Sequence, residues 1–501
     1  MTAKTLMVVG TMSSSGKSLL VTALCRIYAR LGLKVAPFKA QNMSNNAAVC
    51  ADGSEIGRAQ ALQALAAGVE PEVTMNPILI KPEADSYSQI ILMGKPWSHL
   101  NAQNFYTQKD HLWQAIPPAL HDLQQRFDLI IIEGAGSPVE LNLKQRDIVN
   151  MAIAKLANAP TLLVGDVDRG GIFAQLLGTL WLLEKDEREF VKALVVNKFR
   201  GDMSLFKNGI QLLEEKAQLP VLGTVPFIKD LNLPDEDAAS LDSYTDNANP
   251  KNDGDVDIAI IKLPHIANFD DFDALKAEKG LIVRYVSNGN ELGNPNAIIL
   301  PGTKSTLSDL QWLRDTNLAR KIIELAGKGI SIVGICGGYQ MLGQTIEDPL
   351  GIESPVSKVE GLGLLPTTTQ FGGDKATYQV SAKITTETGW MKALKGERVS
   401  GYEIHHGQTI AGNSWLTIIK RNHSGCSISD GETSADGRIW GSYLHGLFDN
   451  DSFRRTWLKS IRWEGVKNSS QALLFEQSLN LLADTVEKNI NMTLLNQIIW
   501  N

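Results

Sequence analysis

Along the first 230 residues, short apolar runs alternate with stretches whose apolar positions recur at helical spacing. The runs are TLMVVG (5–10), DLIIIEGAG (128–136), TLLVGDVD (161–168) and ALVVNKF (193–199). Such continuous apolar character predicts strands buried on both faces, as in a parallel sheet covered by helices. Between them, Leu20, Leu24, Ile27 and Leu31 fall on one face of a helix. The alternation predicts a doubly wound α/β domain over 1–239. The polar stretch SLDSYTDNANPKNDGD (240–255) then reads as a linker. Beyond it the strand theme restarts with VDIAIIKLP (256–264), LIVRYV (281–286), AIILPGT (297–303) and ISIVGIC (330–336), predicting a second α/β domain over 256–450. Residues 451–501, with LLFEQSLNLLADTVEK, predict a helical C-terminal extension.

Composition narrows the class. The 501 residues exceed what one ordinary core supports, so two to four domains are expected. Hydrophobic residues at 43% and charged residues at 21% fit a folded globular chain. A net charge of −7 gives no reason to expect a nucleic acid or an anionic membrane as partner. The four cysteines, at 25, 50, 336 and 426, form no CxxC pair, so neither a disulfide framework nor a zinc knuckle is expected. With no signal-like apolar core and no membrane-length apolar run, the expected location is the cytoplasm.

The stretch GTMSSSGKS (10–18) sits between the strand Leu6–Val9 and the helical SLLVTALCRIYARLG. That junction aims backbone N–H groups and the positive helix end at an anion. Gly10, Thr11, Ser15 and Gly16 would cradle phosphates, Lys17 would reach the terminal phosphates, and Ser18 would ligate Mg2+. Five residues separate Gly10 from Gly16, one more than usual, which resembles the dethiobiotin synthetase branch of phosphate-loop enzymes. That resemblance implies ATP used to activate an acid, with Asn197 of NKFRGD reading the adenine edge; a turn-forming role fits Asn197 nearly as well. Glu133, ending LIIIE, stands where Mg2+ needs a hard oxygen ligand. Asp166 and Asp168 are two apart, so on an extended strand both would share one face, for Mg2+ or substrate, or else cap the next helix.

The second half carries a thiol in GICGGYQMLG. Cys336 directly follows a strand and is flanked by glycines, the pattern of a nucleophile elbow with sulfur in place of oxygen. The backbone N–H groups of Gly302 and Gly337 are the expected oxyanion donors. A thiol nucleophile needs a base, and His445 in GSYLHGLFDN is the candidate. His405 and His406 are neighbours on one predicted strand and should point to opposite faces, so both cannot serve one site. Cys25 and Cys50 read as structural and Cys426 as a loop thiol.

The Cys336–His445 pairing resembles class I glutamine amidotransferases, in which a cysteine attacks the glutamine amide and ammonia is released. The usual pattern has an acid two residues after the histidine; here Leu447 stands there, which leaves the orienting group unidentified and glutamine hydrolysis slow or dependent on the other domain.

Taken together, FKAQNMSNNA (38–47), EIGRAQALQA (55–64), MNPILIKP (75–82), EGAGSPVELNL (133–143), DVDRGGIFAQL (166–176), PGTKSTLSDLQWLR (301–314), GYEIHHGQT (401–409) and YLHGLFDND (443–451) resemble the cobyric acid synthase family over both domains. The absence of the third acid is itself typical of that family. The resemblance implies ATP, Mg2+ and L-glutamine used to amidate the b, d, e and g carboxylates of the corrinoid adenosylcobyrinic acid a,c-diamide, whose cobalt belongs to the substrate. Lys39, Gln41, Asn42 and Asn45 lie in a family stretch and fit contact with phosphate or corrin acids, while turn and cap roles fit the asparagines equally. Two alternatives stay open: a cobyrinic acid a,c-diamide synthase, and a phosphate-loop switch ATPase with a degenerate glutaminase module. Oligomeric state is not legible in the sequence.

Overall fold

The computed structural model describes residues 2–84, 87–144, 147–229, 231–234, 255–353, 356–465 and 470–501. The expected linker, 240–255, lies outside the described residues except for Asp255.

In the N-terminal half, six parallel strands form one sheet in the order Val221–Pro226, Val191–Phe199, Thr161–Asp166, Lys4–Gly10, Leu129–Glu133, Val35–Phe38. The four apolar runs of the sequence are its four central strands. Their alternate side chains feed two separate cores. Met7, Val9, Ile130, Ile132 and Leu163 face one side, and Leu6, Val8, Leu129, Ile131 and Leu162 face the other. The chain leaves the central strand Lys4–Gly10 toward one edge and later returns on its other side. Such a reversal opens a crevice at the strands' C-terminal ends.

Helix Lys17–Arg30 covers one face of this sheet, and the chain's C-terminal helices, Gln471–Asn489 and Met492–Trp500, pack beside it. Leu479, Leu482, Val486 and Leu495 are buried in the same core as Leu6 and Val8. The extension therefore divides. Helix Asp451–Ser460 buries Phe453, Trp457 and Leu458 in the second domain's core, whereas the last two helices return to the first domain.

Between Phe38 and Ala102 the chain builds a smaller sheet, ordered Gln41–Met43, Ile78–Ala84, Tyr87–Leu92, Lys95–Asn101, and a two-stranded pair, Ala47–Val49 with Glu55–Gly57. Met93 and Gly94, both at positive φ, make the tight hairpin turn between the last two strands of that sheet. This insertion reaches the second domain. Ala47, Val49, Leu79 and Ile91 bury against Ile404 in a small core of their own.

The second domain centres on five parallel strands ordered Leu281–Val286, Val256–Ile261, Ala297–Leu300, Ser331–Ile335, Ile439–Ser442, with a short antiparallel edge, Glu432–Thr433. A second sheet, built around the long antiparallel pair Thr368–Ile384 and Arg398–Ile410, packs against it. Trp415, Trp440 and Trp457 are fully buried where these layers meet. Among the described residues no helix is long and apolar enough to cross a membrane.

Candidate active site

The stretch 10–18 forms the loop the spacing predicts. Gly10 ends the central strand and helix Lys17–Arg30 begins at Gly16, whose φ of 90° is a left-handed conformation open to glycine. Lys17 curls over the loop, its Nζ donating to the carbonyls of Met12 (3.0 Å) and Gly136 (3.3 Å). Thr11 Oγ1 donates to Gln175 (3.1 Å), and Ser15 is wholly buried. Asn197, two strands across the sheet, donates through Nδ2 to the carbonyl of Ser15 at 2.9 Å, so in this structure its amide braces the loop.

Glu133 is the hub of this end of the sheet. Only 1% exposed, its Oε1 accepts from Ser18 Oγ (2.9 Å) and Lys39 Nζ (2.8 Å), and its Oε2 from Gln63 Nε2 (2.5 Å). Cationic, hydroxyl and amide donors thus satisfy this buried carboxylate. The hydroxyl and carboxylate of Ser18 and Glu133 beside a phosphate cradle form a donor set that suits Mg2+, which takes few protein oxygens and fills its shell with phosphate and water. No group of three or more His, Cys, Asp or Glu able to hold a metal occurs among the described residues.

Asp166 and Asp168 correct the strand expectation. The strand ends at Asp166, so the two side chains do not share an extended face. Asp166 is buried and pairs with Lys198 (3.0 Å), which also donates to the Ser14 carbonyl (2.6 Å). Asp168 is exposed and pairs with Arg200 at 2.7 Å. Asn42 is buried near Gly57, and the side-chain oxygens of Gln41 and Asn45 are buried atoms without a hydrogen-bond partner.

In the second domain Cys336 follows strand Ser331–Ile335 and caps the short helix Gly337–Leu342. Its φ of 52° and ψ of −109° hold a non-glycine residue in a strained conformation, as a nucleophile elbow requires. Cys336, His445, Gly302, Gly337, Gln340 and Glu353 line one cavity. Burial pushes the Glu353 carboxyl up to about 7. Both His405 and His406 also border this cavity, contrary to the alternation rule. The pairing of strand Arg398–Ile410 with its neighbour is irregular there, between Phe371 and Ala376, and the two-residue period is lost. Burial and the nearby Lys375 and Lys304 depress the His406 imidazole to about 4.

The group that orients His445 is Asp271. Its Oδ2 lies 2.7 Å from His445 Nδ1, and its Oδ1 accepts the Gly446 N–H at 2.8 Å. Burial works against a charged imidazole, but Asp271 and then Cys336 outweigh it and hold His445 up to about 10. Leu447 occupies the position of the usual acid and is buried. Sequence reasoning missed Asp271 because it lies 174 residues before its partner. The acidic cluster NFDDFD was the signal available.

The first domain takes part in this site. Arg58 pairs with Asp270 (3.0 Å) and donates to the Tyr402 hydroxyl (2.6 Å), and the Tyr402 ring stacks on His445 with centroids 5.1 Å apart. Asn268 Oδ1 accepts from the Ala47 N–H (3.0 Å), and Asn46 Oδ1 accepts from the Phe269 N–H (3.3 Å). Glu55 is bracketed by Lys81 and Lys375; burial alone would raise its carboxyl, but the two ammoniums hold it low. Segment 267–271, which carries Asp271, is thus clamped between domains.

A phosphate-binding α/β domain joined to a cysteine–histidine α/β domain defines a glutamine-dependent amide ligase. Residues 6–240 match a CobQ/CobB/MinD/ParA nucleotide binding domain, and residues 257–453 match a CobB/CobQ-like glutamine amidotransferase domain. The chain is 53% identical over 467 residues to the cobyric acid synthase of Chloroflexus aurantiacus, covering 93% of each chain. It is 50% identical to that of Chloroflexus aggregans, covering 99% of each, and 46% identical to that of Moorella thermoacetica, covering 98% of this chain and 96% of that one. The chain belongs to the cobyric acid synthase family, glutamine-dependent amide ligases of cobalamin biosynthesis.

Proposed function

We propose that the chain converts the b, d, e and g carboxylates of adenosylcobyrinic acid a,c-diamide to carboxamides, with nitrogen from L-glutamine and activation by ATP. The observation that carries the reading is the joining of two complementary sites: Glu133 and the 10–18 loop on one side, and Cys336 with the Asp271–His445 pair on the other, connected through helix Arg58–Ala66. The identity to curated cobyric acid synthases over nearly the whole chain supports the choice of substrate.

In the glutaminase site the Cys336 thiolate adds to the amide carbon of glutamine, and the oxyanion meets the N–H groups of Gly302 and Gly337. The His445 imidazolium, held by Asp271, donates its proton to the departing nitrogen. Ammonia leaves and a thioester remains; water, deprotonated by the now neutral His445, cleaves it to glutamate and a released proton, restoring the thiolate beside the imidazolium. In the synthetase site Lys17 and the loop amides would grip the phosphates, while Ser18 and Glu133 would hold Mg2+. Bound Mg-ATP supplies the phosphoryl group that turns a corrin carboxylate into an acyl phosphate. Lys39, beside Glu133, balances the charge gathered there. Ammonia then replaces phosphate at the acyl carbon.

Incubation with the a,c-diamide, glutamine and Mg-ATP tests the reading by mass spectrometry. Successive products, each with one OH replaced by NH2 and ending at cobyric acid, are expected. The a,c-diamide left unchanged while cobyrinic acid, supplied instead, is amidated at a and c, or ATP hydrolysis with no amide formed, would overturn it.

A further inference from the structure

Asn268 stands where the glutaminase cavity meets the first domain. It is 3% exposed, lines the same cavity as Cys336, Gly302, Gly337 and His445, and adopts a left-handed conformation, φ 51° and ψ 43°. Asparagine tolerates that conformation better than most side chains do. The backbone is tied on both sides of it. The Ala267 N–H donates to the Gly302 carbonyl (2.9 Å), and the Phe269 N–H donates to Asn46 Oδ1 (3.3 Å). The side chain therefore projects from a fixed stem.

The first domain also decides which way the amide faces. A backbone N–H can donate only to the oxygen end, and the Ala47 N–H does so at 3.0 Å. The nitrogen end is left facing His445, with Nδ2 3.4 Å from Nε2. Nδ2 carries two hydrogens, and among the described residues His445 is the one group it meets. Gly302 lies beside this point: a methyl built on it would be 2.8 Å from His445 Cε1 and 3.3 Å from the Ala267 carbonyl.

Burial opposes a charged imidazole, but Asp271 and Cys336 keep His445 protonated. In that state Nε2 and Nδ2 are both donors and cannot bond to each other, whereas an acceptor placed between them serves both. Once the thioester has formed, Nε2 is bare and water is needed at the same place. A water there gives one hydrogen to Nε2 and accepts one from Nδ2. Its second lone pair is left for the thioester carbon, whose oxygen would lie on the Gly302 and Gly337 N–H groups. We infer that Asn268 is a further catalytic residue of the glutaminase, the donor that holds the hydrolytic water against His445 Nε2. This rests on the glutamine chemistry proposed above. In the step, the water oxygen forms the new C–O bond, Nε2 takes one proton, and the C–S bond breaks to return the Cys336 thiolate. The product acid then releases its own proton.

The test uses Asn268→Gly, which keeps the left-handed backbone without strain and removes the amide, and Asn268→Ala, which leaves a methyl in its place. The full-length enzyme is given glutamine with hydroxylamine, which intercepts the thioester as γ-glutamyl hydroxamate. Hydroxylamine attacks through a neutral nitrogen that needs no prior deprotonation, so it depends less on the base and its water. Losing one hydrogen bond of ordinary strength slows the water step about fivefold. The ratio of hydroxamate to glutamate should therefore rise about fivefold or more in both variants. Amide synthesis from ammonium, with the corrinoid and Mg-ATP, should stay within about twofold of wild type. An unchanged ratio in either variant would overturn the assignment and leave Asn268 an anchor for Ala47. So would a loss of ammonium-driven synthesis as large as the loss of glutamate release, which would mean a damaged fold. Failure of the underlying function would look different, since wild type would then form neither hydroxamate nor glutamate.

Discussion

Replacing Asp271 by Asn tests how the glutaminase dyad is built. The carboxylate accepts from His445 Nδ1 at 2.7 Å and from the Gly446 N–H at 2.8 Å, and it is only 4% exposed. Asparagine keeps the shape and one acceptor. It loses the charge that favours the imidazolium, and its NH2 end turned toward Nδ1 would select the wrong tautomer. Breaking a buried charge pair costs about 3–5 kcal/mol. If that falls wholly on the transition state, at about 1.36 kcal/mol per tenfold, kcat for glutamine hydrolysis drops roughly a hundredfold to several-thousandfold. The assay is glutamate release, with ammonium-driven amide synthesis measured in parallel. Because Asp271 acts through His445 and not on the substrate, KM should change far less than kcat. Glutaminase within about threefold of wild type would refute the assignment. So would an equal loss of ammonium-driven synthesis, which would mean the fold had been damaged.

The two active centres should separate genetically. Cys336→Ala should abolish glutamine-driven synthesis and spare the ammonium-driven reaction, whereas Lys17→Ala should stop both; synthesis retained by the Lys17 variant would exclude activation at the loop. The His445 pair also makes stability depend on pH. The folded imidazole holds its proton up to about 10, whereas the unfolded one releases it near 6.5. Its contribution is therefore complete below about pH 6.5 and fades as pH rises toward the folded value. The gap in urea midpoint between wild type and His445→Gln should narrow from pH 6 to pH 10, and a constant or widening gap would contradict this. The C-terminal helices should hold the first domain by burial and not by charge. Leu482→Ala should destabilise by about 2–5 kcal/mol, while loss of the exposed Arg30–Asp484 pair should cost at most about 1 kcal/mol. Denaturant titration checks both, and the opposite ranking would refute it.

The parallel cores were legible because burial on both faces leaves unbroken apolar runs, of which Leu129–Glu133 is the clearest. The phosphate loop and the Cys336 elbow were legible because tight strand-to-helix turns need glycine at set positions. Other features depended on contacts distant in sequence. The strand Lys95–Asn101 is largely polar and buries no residue fully, so its place in a sheet was hidden. Asp271 reads locally as one more surface acid, and only the approach of residues 443–446 makes it an orienting group. Asp168 does not share a face with Asp166 because the strand stops at Asp166, two residues before it, and alternation no longer applies. Gln60 and Gln63 carry no local mark of burial; it shows only in the contact of Gln63 with Glu133 and the approach of Gln60 to Gly57.

The most direct measurement of whether the two sites act as one machine is isotopic. Glutamine labelled with 15N at its amide is supplied with Mg-ATP and the corrinoid, in a large excess of unlabelled ammonium at a pH where free ammonia is scarce. Nitrogen handed over within the protein predicts product amides carrying nearly the full glutamine label. Amides diluted to the isotope ratio of the bulk ammonium would contradict it.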